Sequence, residues 1–552
     1  MTERSSLAGT GDGGANSSLV RGRFVLCKAR NDRELVVVED GAVLQANGRI
    51  EAVGRYDDLA RRYPGLDTIG CRRHVVIPGL VHTHHHVGLM PVQLGITDMP
   101  LELWLSARLY ARHVNGYLDT LYSAFELIGS GVTAVQHLDT MRPAPVSAWP
   151  ERGHAVIKAY LDIGMRVSYA LCVRDQNRLV YAPDEQFIAT LPPALARETA
   201  DWLNKTHFRL EDYETDFLEP MIEAYGGGRE NLARIWLAPI NLERCSDELL
   251  LLTKQWAARH KIGIHLHFSE THYQKLYAER RFGKTALRHL HDIGFLGPEL
   301  TLGHAVWTTE DDIDLIAASG ARVCHNASSN LRLRSGIAPV RRFVERGIPV
   351  ALGIDEAGLN DDRDMLQELR LVKHLHCAPG LYDEPLSAAQ IFRMATENGA
   401  RSIGFGDEIG SIEPGKRADL VLLDYDRIAA AYLDPAISPI DAIIYRARNT
   451  DVDTVMIDGK IVFQDGRTTR IDRSETLERI ARSLDRRWSL RSSRDGASFR
   501  RSFRIFVIST SIGRSRSPNR SMRCMECDRA FEMETGGPCD PKSSTCRSGI
   551  PK

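Results

Sequence analysis

Four histidines fall within five positions of the segment VIPGLVHTHHHVG, directly after an apolar run: His82, His84, His85 and His86. Imidazole nitrogens are common ligands of Zn²⁺ and related divalent metals. If the segment is a β-strand, side chains alternate between its faces, so His82, His84 and His86 share one face and His85 points away. A chelating pair is then either His82 with His84 or His84 with His86.

Further potential ligands stand at the ends of later apolar runs, namely His267, His304 and Asp355. Where parallel strands form a barrel, the side chains at their carboxyl ends meet at one face. The pattern therefore predicts a metal site at that face. A site at the end of the first strand favours His84 and His86 as the pair.

The elements that must position these side chains are short apolar runs separated by helical patterns. One helix is predicted to begin at Asp98, with Pro100 in its first turn. Eight runs in such alternation predict an α/β fold, a (β/α)₈ TIM-like barrel. The runs are the one ending at His86, Thr133–His137, Val167–Cys172, Ala233–Ala238, Ile262–His267, Leu300–His304, Arg322–His325 and Val350–Asp355.

Strand-like segments with hairpin turns flank the barrel on both sides, with Asn47-Gly48 and Asp458-Gly459 as turn signals. Neither set can bury both faces of a sheet alone, so we expect one small composite β-sandwich formed by both ends of the chain. The predicted divisions are a disordered tail (1–21), the N-terminal strands of the sandwich (22–75), the barrel (76–402), the C-terminal strands of the sandwich (403–470), a C-terminal helix (471–490) and a disordered Arg/Ser/Cys-rich extension (491–552).

Composition narrows the function classes. The 552-residue chain has a formal net charge of −1, which gives no reason to expect nucleic acid or an anionic membrane as partner. A signal peptide and a membrane span are both missing from the sequence, and the scattered cysteines are typical of reduced thiols, so a cytoplasmic protein is expected. Cys524-Met-Glu-Cys527 has the spacing of one of the two cysteine pairs in a structural zinc site. Free thiols in a disordered tail are the alternative.

The first motif resembles the signature of the amidohydrolase superfamily, in its branch of cytosine, guanine and adenosine-analogue deaminases and triazine hydrolases. That signature is Pro-Gly, two apolar residues, Asn or Asp, a small residue, then His-x-His, and here it begins at Pro78-Gly79. The resemblance implies that His84 and His86 are metal ligands. His82 stands where the family has Asn or Asp.

The resemblance continues in order from about residue 22 to 470. It implies that His267 and Asp355 complete the ligand set, that Glu270 is a proton shuttle, and that His304 orients the attacking oxygen. One departure is Asp355-Glu356, where the family has Asp-Gly. The acidic segment that follows, including 361–364, either selects a cationic substrate or is a solvated loop.

Family branches with two metals bridge them by a lysine on the fourth strand. Ile235–Asn241 contains no lysine, so the resemblance implies one divalent ion, Zn²⁺ or alternatively Fe²⁺. Such an ion lowers the pKa of its water to about 7 and provides hydroxide. The implied reaction is hydrolytic deamination of a small amino-substituted heterocycle by a homo-oligomer. The catalytic residues are then Glu270, His304 and Asp355, and the expected substrate contacts are Trp104, Glu270, His304 and Asn360.

Alternatives stay open at this stage. His265 shares a face with His267 and could replace it as ligand, although a hydrogen-bonded core histidine is the preferred interpretation. His85, His137 and His325 are expected to be structural. Release of chloride or an alkylamine, a non-catalytic scaffold, and nucleic-acid binding by the tail are the competing functions.

Overall fold

The computed structural model describes residues 17–491 except for Val87, Tyr110, His113, 141–145, Thr206, 227–230 and Ala378. The predicted extension from residue 492, with its cysteine pair, lies outside the described residues, as does the predicted tail up to residue 16. Residues 17–21 were predicted to be disordered, but they belong to the first strand. Leu19 and Val20 are buried there, which the Ser/Gly-rich composition did not reveal.

The strands are β1 Ser17–Ala29, β2 Leu35–Ala46, β3 Arg49–Arg55, β4 Asp67–Pro78, β5 Leu80–His85, β6 Val132–Thr140, β7 Arg166–Val173, β8 Ala233–Ile235, β9 Ala238–Pro239, β10 Ile264–Phe268, β11 Leu300–His304, β12 Arg322–His325, β13 Val350–Leu352, β14 Leu420–Asp424, β15 Val452–Ile457, β16 Lys460–Gln464 and β17 Arg467–Thr468.

The helices are α1 Tyr56–Arg62, α2 Leu101–Leu109, α3 Gly116–Gly129, α4 Trp149–Ile163, α5 Asp184–Ile188, α6 Pro193–Lys205, α7 Leu210–Tyr213, α8 Glu219–Tyr225, α9 Asp247–His260, α10 His272–Phe282, α11 Ala286–Asp292, α12 Glu310–Ser319, α13 Ala327–Arg332, α14 Val340–Glu345, α15 Met365–Leu375, α16 Ala388–Ala395, α17 Glu397–Ser402, α18 Tyr425–Ala429, α19 Pro439–Arg446 and α20 Arg473–Arg491. None of them is both long and apolar enough to cross a membrane.

The fold is α/β with two parallel sheets. One has the order β5-β6-β7-β8, with β9 also paired to β7, and the other has the order β10-β11-β12-β13. Their strands are buried on both faces, as expected for parallel strands covered by helices. Isolated parallel bridges join the two sheets, between His85 and Asp355 on one side and between Leu237 and Ile264 on the other.

A third sheet combines strands from both ends of the chain, in the order β17-β16-β15-β14-β4-β1-β2-β3. Its centre is β4, which pairs parallel with β1 and antiparallel with β14. Arg166, the first residue of β7, donates hydrogen bonds to Asp419 beside β14, and both side chains are only 1% exposed. Such a buried pair is costly to break, so it fixes β7 against this sheet.

Apolar side chains close the space between the parallel strands at one end. Val81 and Ala134 pack there against Ile403, Phe405 and Ile409. The opposite end, where the strands reach their carboxyl termini, carries polar side chains instead. The fold therefore leaves that end open for chemistry.

Candidate functional site

The ligand-type side chains predicted from the sequence meet at the carboxyl ends of the parallel strands. His84 lies in β5 and His86 directly after it, His267 lies in β10, His304 ends β11, and Asp355 follows β13 by three residues. Within the described residues they form three overlapping groups whose ligand atoms lie within 4.8 Å of one another: His84, His267 and His304; His84, His86 and Asp355; and Glu270, His304 and Asp355.

Short distances between nitrogen atoms mark the centre of this cluster. His86 Nε2 lies 3.1 Å from His84 Nε2 and 3.0 Å from His267 Nε2. Asp355 Oδ1 is 3.3 Å from His86 Nε2 and 3.7 Å from His84 Nε2. Four potential ligand atoms thus surround one small volume.

The hydrogen bonds made by the Nδ1 atoms of two of these rings show which kind of ligand that volume can hold. His86 Nδ1 donates to the Leu138 carbonyl at 2.6 Å, and His267 Nδ1 donates to the Ile240 carbonyl at 2.8 Å. In a neutral imidazole the other nitrogen then carries a lone pair, so the two Nε2 lone pairs face each other, which is repulsive unless a cation lies between them. Zinc–nitrogen bonds of about 2.0–2.1 Å in a tetrahedral site separate such nitrogens by roughly 3.4 Å. The donor set therefore fits a zinc ion.

His84 is oriented differently. Its Nδ1 lies 2.8 Å from His265 Nε2, and His265, only 1% exposed, finds no partner for its Nδ1 among the described residues. A Cβ atom at Gly303 would lie 3.0–3.1 Å from both rings, so the glycine leaves room for this pair. His265 was expected to be a hydrogen-bonded core histidine; it makes one such bond, to a predicted ligand.

His82 lies behind the cluster and belongs to none of the three groups. Its ring nitrogens are 3.3 Å from the backbone nitrogen of His84 and 3.4 Å from that of Ile354. Burial lowers the pKa of His82 to about 3, and nearby Arg363 adds to the shift. His82 is therefore a neutral residue that contacts the backbone of β5 and of the segment leading to Asp355.

Burial also controls the charge state of the cluster. It is the main cause that lowers the pKa of His84, His267 and His304, which keeps these rings neutral and able to bind a metal. For Glu270, burial first and then the charges of Asp355 and Glu102 raise the pKa well above its ordinary value. A carboxyl group whose pKa is raised in this way is better suited to donate a proton than an ordinary glutamate.

Unusual backbone conformations hold the cluster in place. His304 has a φ of 70° and Asp355 a φ of 63°, in the left-handed region that non-glycine residues rarely adopt. Hydrogen bonds fix both side chains, since His304 Nδ1 donates to Asn330 Oδ1 at 2.8 Å and Ser329 Oγ donates to Asp355 Oδ2 at 2.6 Å. Strain of this kind is typical of functional sites.

A cavity lies beside Asp355, and one of the two additional residues predicted to contact substrate lines it. Trp104, 5% exposed, lines the cavity together with Ser329 and Leu333. Asn360, the other, lies in an exposed turn, where its amide contacts Asp362. The structure does not bring Asn360 together with the cluster.

The acidic segment after Asp355 is largely compensated from within the protein. Glu356 Oε2 is 3.7 Å from Arg108 Nε, Asp361 accepts from Arg332 Nη2 at 3.0 Å, and Asp364 caps α15 by accepting from the Gln367 backbone. These carboxylates support loop structure. They give no support to the hypothesis of a cation-selecting segment.

Glu102 was not predicted from the sequence, because it belongs to no motif. One carboxylate oxygen accepts a hydrogen bond from Thr271 Oγ1 at 2.6 Å, and the other is buried with no partner in the described residues of the chain. Thr271 in turn caps α10, directly after Glu270. Glu102 therefore lies beside the predicted proton donor, a proximity that only the folded chain creates.

Comparison with known proteins gives this geometry a family. The model of the Amidohydrolase family matches residues 75–462, and an Imidazolonepropionase-like composite domain of bacteria matches 41–65. The chain is 30% identical over 447 residues to 5-methylthioadenosine/S-adenosylhomocysteine deaminase of Syntrophobacter fumaroxidans, covering 80% of this chain and 92% of that protein. It is also 30% identical over 467 residues to 5′-deoxyadenosine deaminase of Methanothermobacter thermautotrophicus, covering 84% and 96%.

Solved structures of related proteins are also similar to this chain. An adenosine deaminase from Xanthomonas campestris with bound zinc superposes with a TM-score of 0.68 at 26% identity, covering 85% of this chain and 98% of that one. An atrazine chlorohydrolase from Arthrobacter aurescens complexed with zinc has a TM-score of 0.72 at 22% identity, with 84% and 99% covered, and supports the fold alone. The resemblance seen in the motifs is confirmed. Because the family model matches more than half of the residues of this chain, the chain belongs to the amidohydrolase family and is a hydrolase.

Proposed function

We propose that the chain is a metal-dependent aminohydrolase that replaces an amino group on a nitrogen heterocycle by a carbonyl oxygen and releases ammonia. One observation carries the proposal. The lone pairs of His86 and His267 converge on a volume beside Asp355, and at its edge lies the buried carboxyl of Glu270, whose pKa burial raises well above its ordinary value. A scaffold without catalysis has no use for that combination.

The architecture that supports this function is a closed eight-stranded (β/α) barrel over residues 76–402, with a composite domain made of 22–75 and 403–470. The bridges His85–Asp355 and Leu237–Ile264 support closure, because they connect the free edges of the two parallel sheets. The shared sheet of β4, β1 and β14 supports the composite domain.

The metal ligands we propose are His84, His86, His267 and Asp355. A single ion is expected, because the segment from β8 to β9 offers no lysine to bridge a second one, and zinc suits three imidazoles and a carboxylate better than harder metals do. Fe²⁺ is the alternative. A bound ion of this kind lowers the pKa of water to about 7 and supplies hydroxide at neutral pH.

The chain's own groups then move the protons. Asp355 accepts the proton that the attacking water releases, with Ser329 holding its carboxylate in position. His304 Nε2 lies 3.9 Å from oxygens of both Glu270 and Asp355, so it can orient the attacking oxygen between them. Glu270 donates its proton to the ring nitrogen next to the amino-bearing carbon. The amino group takes the proton held by Asp355 and leaves as ammonia, and the remaining hydroxyl proton passes to Glu270 as the carbonyl forms.

The names of the relatives suggest the substrate. Two of them deaminate adenosine analogues, so a purine nucleoside or a similar amino-heterocycle is the first candidate. Trp104 lines the small cavity beside Asp355, so an aromatic side chain lies at the edge of the proposed substrate position. Release of chloride is the second candidate, because the same groups could displace chloride from a heterocycle in place of an amine.

We also propose a cytoplasmic homo-oligomer. The cysteines among the described residues are all free, as expected in a reducing compartment. Leu381 and Tyr382 are adjacent and each 96% exposed, an arrangement that suits a protein contact.

The test is ammonia release by the purified, zinc-loaded protein across purines, purine nucleosides, pyrimidines, pterins and triazines. Turnover of at least one amino-heterocycle, lost on removal of the metal by a chelator and restored by zinc, is expected. Chloride release from a chlorotriazine without any ammonia release would favour the second candidate. No turnover of any compound would argue for the scaffold.

A further inference from the structure

The proton donor Glu270 stands in a turn with an unfavourable backbone conformation. β10 ends at Phe268, Ser269 then has a φ of 41° in the left-handed region, and Thr271 begins α10 as its N-cap. A residue other than glycine keeps such a conformation only where the surrounding structure holds it. The turn that carries Glu270 therefore depends on contacts from outside it.

The side chain of Glu270 contributes little to holding that turn. Its Oε1 is 3.5 Å from Ser335 Oγ, a long hydrogen bond, and its Oε2 is 3.9 Å from His304 Nε2. The backbone is held better, because the Glu270 amide donates to Gln274 Oε1 at 2.7 Å. The position of the carboxyl group thus follows the first turn of α10.

That first turn is closed by a capping box. The Thr271 hydroxyl accepts from the Gln274 amide, and the Gln274 side chain accepts from the Thr271 amide, each at 3.4 Å. Thr271 is only 4% exposed and Gln274 only 1%. A hydroxyl that accepts one hydrogen bond still has its own proton to donate, and a buried one needs an acceptor within the protein.

Glu102 supplies that acceptor from a distant part of the chain. Its Oε1 accepts from Thr271 Oγ1 at 2.6 Å, although the two residues are 169 positions apart. A hydroxyl that donates to a carboxylate forms one of the stronger hydrogen bonds, and this bond fixes the rotation of the hydroxyl that caps α10. A carboxylate beside the N-terminus of α10 also interacts favourably with the helix dipole. Glu102 thus stabilises the turn both by a hydrogen bond and by its charge.

Attachment of α2 to the rest of the protein does not explain this contact. Leu101 and Trp104 already pack with Leu333 in one apolar cluster, so α2 is held without Glu102. The second carboxylate oxygen of Glu102 is buried with no partner in the part of the chain that the structure describes. Such an oxygen costs free energy, which makes a glutamate unfavourable where attachment alone is needed.

We propose that Glu102 is a positioning residue for the deamination reaction, which holds the Thr271 hydroxyl and, through it, the turn that places Glu270 at the histidine cluster. The proposal rests on the proposed deaminase function. Glu102 acts through Glu270, so its loss should disturb the geometry of proton transfer and leave the metal ligands intact. A displacement of about 1 Å can cost about a hundredfold in rate.

The first arm of the test measures kcat, KM and zinc content, with adenosine or with whichever compound of the ammonia screen is turned over faster. Glu102→Ala and Thr271→Val each remove the hydrogen bond. Each should lower kcat about 10- to 100-fold, with KM within a few-fold of native and zinc content unchanged. Glu102→Gln keeps an acceptor oxygen and should retain most of the native kcat. A native kcat in Glu102→Ala, or equal losses in Glu102→Ala and Glu102→Gln, overturns the proposal.

Ser387→Ala is the matched control. Ser387 forms the same kind of capping box with Gln390 at the start of α16, and its hydroxyl also donates to a distant residue, the carbonyl of Asp32. Because α16 carries none of the residues of the site, this variant should lose stability and keep the native kcat.

Combination with Glu270→Gln separates positioning from a general loss of structure. If Glu102 acts through Glu270, Glu102→Ala should lower kcat by no more than about twofold once Glu270→Gln has removed the proton donor. A further loss of about tenfold or more in the double variant would show that Glu102 acts elsewhere, which contradicts the proposal.

The second arm needs no turnover. Amide hydrogen exchange of the segment 269–276 is measured by mass spectrometry on the zinc-loaded protein. It should be at least about tenfold faster in Glu102→Ala than in the native chain or in Ser387→Ala. Unchanged exchange overturns the positioning role even if ammonia is released. Faster exchange confined to this segment, with no ammonia release from any amino-heterocycle, supports the contact and overturns the deaminase function.

Discussion

Two polar segments at the carboxyl ends of the strands can be compared, 82–86 at the end of β5 and 356–364 after β13. Both are dense in ionisable side chains. In the first, His84 and His86 direct nitrogen atoms to one point, 3.1 Å apart. In the second, Asp361 and Asp364 are directed to partners supplied by the protein, Arg332 and the first turn of α15.

The difference shows that density of polar residues does not by itself mark a site. What marks it is several ligand atoms that the fold directs at one small volume. Lone pairs that face each other require a cation. Mutations of the ligands in the first segment should therefore change metal binding and activity, and mutations of the paired carboxylates in the second should change only stability.

The largest effect is expected for His86→Asn, which removes one of the two opposed lone pairs. Tight metal binding should be lost, and activity with it. Elemental analysis should give close to one Zn²⁺ or Fe²⁺ per chain in the native protein and almost none in the variant. Two tightly bound ions within the barrel residues of the native protein would contradict the single-metal assignment.

Glu270→Gln should separate chemistry from metal binding. Glu270 lies outside the proposed ligand set, so the variant should retain its metal. It should lose at least about a hundredfold in kcat, the usual scale for loss of a general acid–base group. Metal content and steady-state kinetics are measured on the same sample, and a variant with native kcat would refute the role of Glu270 as proton donor.

His265→Leu tests the unusual support of His84. His86 and His267 are oriented by backbone carbonyls that no mutation removes, whereas His84 depends on a side chain, His265. Loss of that hydrogen bond should weaken zinc affinity about 10- to 100-fold, measured by competition with a chelator. His265→Gln, which keeps an acceptor, should recover some of the affinity, and equal losses in the two variants would show that His265 acts by packing alone.

The sequence predicted the site better than its surroundings for a physical reason. Alternation along a strand and the common direction of parallel strands decide where His84, His267 and His304 point, and both rules are local. Asn360 follows no such rule. Its turn is fixed by Arg332, which bonds to Asp361 and to the Gly358 carbonyl from another strand connection, and a single sequence does not reveal that contact.

The flanking strands show the same limit. Hairpin signals and β-branched runs predicted strands at both ends of the chain, but the start of β1 at Ser17 depends on its pairing with β2 and β4. Glu102 also follows no motif. It becomes notable only because the folded chain leaves one of its carboxylate oxygens without a partner in the described residues.

His82→Asn, also in the first segment, should have a smaller effect than loss of a ligand. His82 contacts backbone nitrogens and belongs to none of the metal groups, so the variant should keep its metal and lose at most about 10- to 100-fold in activity. Asparagine can still accept one of these hydrogen bonds. Should His82→Asn lose the metal while His86→Asn keeps it, the chelating pair would be His82 and His84.

Asp361→Asn probes the second segment, and its effect should be the smallest. Asp361 has a φ of 56°, a conformation that asparagine tolerates well, so the change removes charge without adding backbone strain. Arg332 keeps its bonds to Asp98 and to the Gly358 carbonyl. The free energy of unfolding should therefore fall by no more than about 1 kcal/mol, measured by denaturant titration. If Asp361 instead selected cationic substrates, kcat/KM would fall for cationic heterocycles and not for neutral ones. We expect the ratio of the two values to stay unchanged, because the carboxylate is already occupied by Arg332.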